Sequence, residues 1–355
     1  MPMRWGQTLA ILTLMVALGH SALADDPAPR RFEYRETHMG SEFKVLLYSA
    51  AEEEARSASR AAFDRVAALD RSFSDYDPES ELMRLCDRAG GPPVEVSSDL
   101  FDILGRSLAM HKRSAGAFDI TIGPVGRLWR RARRDHKMPD PAHLAAALEK
   151  VSSNAVVLDA EKRTAELRKA GMKLDLGGIA KGHACQEALK VLETHGIRHA
   201  LVAGAGDIAI ADPPPDAPGW TIGVAPVEDP GGARPSMFLR LKRRVVSTSG
   251  DAERFVEING KRYSHIVDPK TGLGVVDRAA VTVVADDGAL ADSLATAVFV
   301  LGPEKGLALV ETFPNAAAIF VRKSDAGEQR FESKLWKDLP TTTGAGDRDE
   351  DISGR

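Results

Sequence analysis

Cysteine is nearly absent. Cys86 and Cys185 are the only two in 355 residues, so one disulfide is the most the chain can form. Sequence alone leaves open whether the pair is bridged or free, and neither thiol is assigned a chemical role. A strong charge of either sign is also missing. Lys and Arg number 47 against 51 Asp and Glu, a formal net charge of −4. That mild acidity gives no reason to expect a nucleic-acid partner. No stretch beyond the N-terminus reads as apolar enough to span a membrane, and no internal repeat is visible.

What the N-terminus does carry is a secretory signal over residues 1–24. Arg4 supplies the positive start, Leu9 to Leu18 the short apolar run, and Ala22-Leu23-Ala24 the small-x-small cleavage site. An uncleaved anchor is the alternative. No cysteine follows the run, which argues against a lipoprotein. The expected location is therefore the periplasm. Residues 25–340 are long enough for one large domain, and the polar, charged tail 341–355 is expected to be disordered.

Periodicity divides the domain into mixed strands and helices. "FKVLLYS" (43–49) has strand character, and 51–73 carries helically spaced Ala55, Ala62, Val66 and Leu69. Residues 97–116 read as a helix capped by Ser97 or Ser98 and closed by Gly116. The arginine-rich stretch 127–139 admits two readings, a solvated helix face or an anion-binding patch. "MKLDLGG" reads as a strand running into a helix over 179–195, which ends at Gly196. Gly204-x-Gly206-x-x-Ala209 fits the dinucleotide-binding pattern, but β-like residues and Pro213-Pro214-Pro215 follow, so a turn between strands is the better reading. Asn259-Gly260 predicts a hairpin with a type I′ turn. "AAVTVVA" predicts a strand, 288–302 a mostly apolar helix, and "PNAAAIFVRK" the final strand. Strands and helices mix without strict alternation, which indicates an α+β fold.

Three places suggest chemistry. At "KLDLGGIAKG" (173–182), Gly177 and Gly178 lie at a helix N-terminus, where free N–H groups favour phosphates, and Lys181 sits against the helix dipole. A plain strand-to-helix turn with a solvated lysine fits as well. Asp292 and Thr296 interrupt the apolar helix at i, i+4, on one face, and offer hard oxygens suited to Mg²⁺. An Asp at the helix rim and a Thr bonded within its helix would explain them too. His265, at a strand end beside Asp268, has the pKa of a general base or is a structural turn residue. "STSGD" (247–251) reads as a glycine turn, and Asp119 lies between β-like residues.

Taken together, these stretches resemble the FAD:protein FMN transferases, the ApbE-type flavin transferases. The matching pieces are "HMGSEF" (38–43), "SDYDPESEL" (74–82), "GAFDITIGPVGRLW" (116–129), "KLDLGGIAKG", "AGAGDI" (203–208), "STSGD", "YSHIVDPKTG" (263–272) and "VTVVADDGALADSLATAVFVLG" (281–302). The resemblance implies a single α+β domain with a T-fold-like architecture and a deep FAD site. It implies Mg²⁺-dependent transfer of FMN from FAD to a Thr or Ser hydroxyl of a target flavoprotein, with release of AMP. Met39, Tyr76, Ala117, Phe118, Asp119, Asp175, Lys181 and Ile266 would line the FAD site. Asp292, Thr296 and the Gly178 carbonyl would hold the metal, and His265 would be the base toward the acceptor. The implied partner is a membrane-associated redox subunit. An FAD pyrophosphatase and a non-catalytic flavin-binding protein are the rival readings. Two departures stand out: "GLGV" (272–275) lacks a proline common after this turn, and Ala205 occupies a common glycine position.

Overall fold

The computed structural model describes residues 28–224, 235, 237–251, 254–324 and 327–342. The expected signal and the tail from residue 343 lie outside the described residues. In chain order the first half holds strands β1 (Arg30–His38) and β2 (Ser41–Ser49), helices α1 (Glu52–Phe73) and α2 (Glu81–Asp87), strand β3 (Val94–Glu95), helices α3 (Ser98–Arg113), α4 (Gly123–Asp135) and α5 (Pro141–Leu148), and strands β4 (Val156–Asp159) and β5 (Thr164–Leu167). Helix α6 (Ala180–Thr194) follows, then strands β6 (Ala200–Gly204), β7 (Asp207–Ile210), β8 (Trp220–Gly223), β9 (Phe238–Leu241), β10 (Arg244–Gly250), β11 (Phe255–Ile258), β12 (Lys261–Ser264) and β13 (Ala279–Ala285). Helix α7 (Gly288–Val310) and strands β14 (Ala317–Ser324), β15 (Gly327–Glu332) and β16 (Thr341–Thr342) complete the chain.

An eight-stranded antiparallel sheet, ordered β1-β2-β6-β7-β10-β13-β14-β15, is the spine. Strand β13 lies inside it and is buried along its whole length, which is why "AAVTVVA" is apolar on both faces. Val281, Val283 and Ala285 face one core, packed by α1, α3, α6 and α7, while Ala280 and Val284 face a second. The second core is closed by the small β16-β9-β8 sheet with Trp220 and Trp336. A third cluster around Trp129 joins α4 and α5 to the β11-β12 hairpin. The α+β expectation holds.

Local chemistry explains the elements that were legible. Ser97 caps α3 by accepting from the Leu100 N–H, and Gly116, at φ +84°, closes the turn beyond it. Asn259 and Gly260 take φ of 53° and 72°, the hairpin turn expected of that pair. Helix α7 breaks at Gly302, just before Pro303. This helix is long and apolar enough to cross a membrane by length and composition, but more than half of it is buried within the domain. Ala205 adopts φ +54°, a left-handed conformation that an alanine accepts only at a cost of about 1–2 kcal/mol.

Other expectations are corrected. "MKLDLGG" forms no strand: the Leu174 N–H donates to the Cys86 sulfur and the Asp175 N–H to the Ile120 carbonyl, so no ladder partner is left. Residues 247–250 are not a turn but part of β10, an interior strand; its hydroxyls are tolerated because Thr248 bonds Thr282 across the sheet at 3.0 Å. Residues Ile120–Ile122 form a 3₁₀ turn capped by Asp119 rather than a β segment. The strand at "PNAAAIFVRK" is not the last. The polar edge strand β15 and the short β16 follow, the latter pairing Thr341 and Thr342 with Leu239 and Phe238. Both cysteines are buried and free.

Helices α6 and α7 cross backbone to backbone at Gly182 and Gly288. A Cβ on Gly182 would lie 2.3 Å from the Gly288 carbonyl oxygen, and one on Gly288 would lie 2.1 Å from the Gly182 oxygen. Only glycines permit this crossing, which sets the start of α6 beside Asp292. Gly288→Ala should therefore destabilise the domain by about 1–3 kcal/mol, read as a lowered urea midpoint. A midpoint equal to that of the unaltered chain would show that the crossing is not tight.

Candidate active site

The side chains singled out in the sequence converge on one cavity of about 850 Å³. Met39 sits in the β1-β2 turn, Tyr76 between α1 and α2, and Ala117, Phe118 and Asp119 between α3 and α4. Asp175, Gly178 and Lys181 come from the approach to α6 and its first turn. His265 and Ile266 follow β12, and Asp292 and Thr296 come from α7. Segments far apart in sequence thus meet where the helices end against the sheet.

One end of the cavity is a buried acidic centre. Asp292 accepts a hydrogen bond from the Gly182 N–H at 3.1 Å, so the N-terminus of α6 stabilises a carboxylate of its own chain. Burial nevertheless raises the Asp292 pKa, against the opposing pull of Lys181. Asp207 lies at the start of β7, opposite Ser247 of β10. Burial, and then the negative charge of Asp292, push its carboxyl up to about 8. Asp207 Oδ1 and Ser247 Oγ are buried with no hydrogen-bond partner among the described residues. Lys181 donates to the Gly177 carbonyl at 3.0 Å and lines the same cavity.

These groups fit a hard divalent cation. Thr296 Oγ1 lies 3.3 Å from Ser249 Oγ, and a Cβ on Gly178 would come within 2.9 Å of Thr296 Oγ1. The Gly178 backbone can approach that hydroxyl only because the residue is glycine. Among the described residues no three His, Cys, Asp or Glu side chains form a metal cluster. The donor set is instead two carboxylates with hydroxyl and backbone oxygens, the chemistry that suits Mg²⁺. An orphaned buried carboxylate oxygen is the observation that calls for a cation here.

His265 occupies another part of the wall. Its Nδ1 donates to the Arg254 carbonyl at 3.0 Å, which leaves Nε2 as the unprotonated nitrogen. Burial, followed by the cations Arg254, Arg133 and Lys181, pushes its pKa down to about 4. Asp268 is not its partner: that carboxylate accepts from the Lys270 N–H and the Thr271 hydroxyl within the following turn.

Asp119 is largely committed to structure. Oδ1 accepts from the Thr121 N–H and from the Thr121 and Ser153 hydroxyls, and His111 lies 3.2 Å from Oδ2. Asp175 accepts from the Gly177 N–H at 2.9 Å and from Arg130 at 2.9 Å. The arginine-rich stretch divides between two faces of α4. Arg130 and Arg133 line the cavity, while Arg131 and Arg134 are solvated and pair with Asp135. Asp70, which receives the Met39 N–H at 2.7 Å, also lines the site.

Asp207 and Asp70 were not expected at the site, and Arg130 was marked only as part of the arginine-rich stretch 127–139. Asp207 lies within "AGAGDI" (203–208), beside the glycines of the turn. The usable signal was a lone carboxylate in an apolar strand directly after a tight turn.

Comparison with known proteins is consistent across sequence and fold. The ApbE family model matches residues 39–320. An FAD:protein FMN transferase of Treponema pallidum is 33% identical over 309 residues, covering 82% of this chain and 84% of that protein. One from Klebsiella pneumoniae is 33% identical over 301 residues, covering 83% and 90%. The solved apo structure of the Pseudomonas stutzeri flavinyl transferase ApbE superposes with a TM-score of 0.77 at 28% identity, covering 90% of this chain and 99% of that one.

The raised Asp207 pKa has a sign. A carboxyl whose folded pKa lies near 8, above the unfolded value of about 4, binds a proton on folding, so its contribution is lost as pH rises between those values. In EDTA, melting temperature should fall from pH 5 to pH 8, and Asp207→Asn should melt higher at pH 8 and flatten the slope. An unchanged slope in the variant would show that Asp207 is not the buried titrating group.

Proposed function

Because the chain belongs to the ApbE family, we propose that it transfers FMN from FAD to a Thr or Ser hydroxyl of a target flavoprotein and releases AMP. The observation that carries this reading is the pairing, in one cavity, of a buried oxygen-rich centre with a histidine whose Nδ1 is held by a backbone carbonyl. The centre comprises Asp292, Asp207, Thr296 and the Gly178 backbone. Mg²⁺ bound there would supply charge neutralisation for the pyrophosphate. Lys181 and the N-terminus of α6 add fixed positive potential on the same side. Tyr76, Met39, Phe118, Asp175 and Ile266 offer the walls against which the flavin dinucleotide would be held.

In the reaction the acceptor hydroxyl oxygen bonds to the phosphorus on the FMN side of the pyrophosphate. The bond from that phosphorus to the bridging oxygen breaks, and the bridging oxygen leaves with AMP. The hydroxyl proton passes to His265 Nε2, the nitrogen that the Arg254 carbonyl leaves unprotonated. The sequence signal over residues 1–24 supports a periplasmic site of action, and with it a membrane-associated redox subunit as acceptor.

Mass spectrometry on the protein with FAD, Mg²⁺ and a Thr-containing acceptor domain tests the proposal. The expected result is an acceptor gaining one FMN phosphoester, with AMP released and both blocked by EDTA. AMP with free FMN would show hydrolysis instead, and bound but intact FAD would show a carrier. His265→Ala should retain FAD binding and lose transfer; full transfer in the variant would place the base elsewhere. Because His265 is neutral above about pH 4, kcat/KM for FAD should be flat through pH 6–7 and fall only on approaching pH 4. An acid limb centred near 6.5 would contradict that assignment.

A further inference from the structure

Arg130 lies directly after the stretch that carries the family resemblance, and it is not among the residues that the resemblance places at the site. It stands four residues after Gly126 on α4, on the same face, and both line the cavity. Its guanidinium ties two separate pieces of chain to α4. One nitrogen, Nη2, meets both Asp75, in the loop between α1 and α2, and Asp175, at 2.9 Å, in the segment before α6. Its Cζ lies 4.3 Å from the centroid of the Tyr76 ring. Tyr76 is 74% exposed. The Tyr76 N–H reaches Ser74 Oγ at 3.3 Å, which ties down the backbone and not the ring.

Asp175 would be a poor positioned group without this arginine. Its carboxylate faces that of Asp75, whose pKa is raised first by burial and then by the Asp175 charge. A lysine could supply the charge to both carboxylates, but not the planar guanidinium face that lies on the Tyr76 ring.

We propose that Arg130 is a positioning residue for the flavin dinucleotide: it clips Asp75 to Asp175 and holds the Tyr76 ring at the cavity wall before the ligand arrives. The proposal rests on the flavin-transfer reading. Arg130 acts through Tyr76 and Asp175, so its effect falls on FAD binding and not on the transfer step.

The test compares FAD affinity, by quenching of flavin fluorescence in EDTA, for the unaltered chain, Arg130→Lys and the double variant Arg130→Ala/Asp75→Asn. The double variant removes the like-charge conflict that would otherwise destabilise Arg130→Ala. Both variants should raise the Kd about tenfold or more, the scale of one lost charge-assisted contact. At saturating FAD, kcat should change by less than about threefold, the pattern of lost binding common to ground and transition states. A double variant that binds FAD within about twofold of the unaltered chain would overturn the proposal, because charge balance alone would then suffice. So would a large loss of kcat with an unchanged Kd. If the unaltered chain itself binds no FAD, the flavin reading fails, a result distinct from either.

Discussion

Two carboxylates buried side by side are the constraint around which this molecule is arranged. Asp292 and Asp207 are both buried, and their mutual repulsion destabilises a fold unless a proton, a cation or a hydrogen-bond donor answers it. Part of the answer is built in. The α6 N-terminus delivers the Gly182 N–H to Asp292, and it can do so only because Gly182 and Gly288 let two helices touch backbone to backbone. The rest is left open at Asp207 Oδ1. A stability-driven sequence would replace that aspartate with an apolar residue; retaining it makes sense if the centre exists to hold a charged group.

The remainder of the cavity is prepared in the opposite manner. Asp119, Asp175 and Asp70 already have partners, so they present fixed polar surfaces whose geometry is set before a ligand arrives. His265 has its tautomer set by a backbone carbonyl. Among the described cavity-lining residues, the buried side-chain atom without a partner is Asp207 Oδ1, in the acidic centre, and the satisfied carboxylates form the walls. A site that neutralises a pyrophosphate at one place and orients a large planar ligand at another needs this division.

How much of this was legible in the sequence depended on whether the signal was local. The Asn259-Gly260 turn, the Ser97 cap and the i, i+4 pair Asp292 and Thr296 are local patterns, and each is where it was expected. The ordered motifs likewise identified the cavity's lining, because each motif carries its own glycine or polar residue. What failed was non-local. "MKLDLGG" has strand composition but finds a cysteine sulfur and a turn carbonyl in place of a neighbouring strand. "STSGD" has turn composition but is threaded through the interior of the sheet, where cross-strand hydroxyl bonds satisfy it. Strand β1, with its alternating charges, and β15 are polar edge strands, which composition alone does not separate from loops. Asp207 became visible as a site residue only when β7 was placed beside β10 and its oxygen was found without a partner.

The central claim is that the chain's own oxygens form a cation site before any flavin is bound. Equilibrium binding of Mn²⁺, followed by its electron paramagnetic resonance signal without flavin, tests it most directly. The account predicts saturable binding to the unaltered protein, competed by Mg²⁺ and lost in Asp292→Asn. Binding that appears only after FAD is added, or that is equal in the variant, would contradict it.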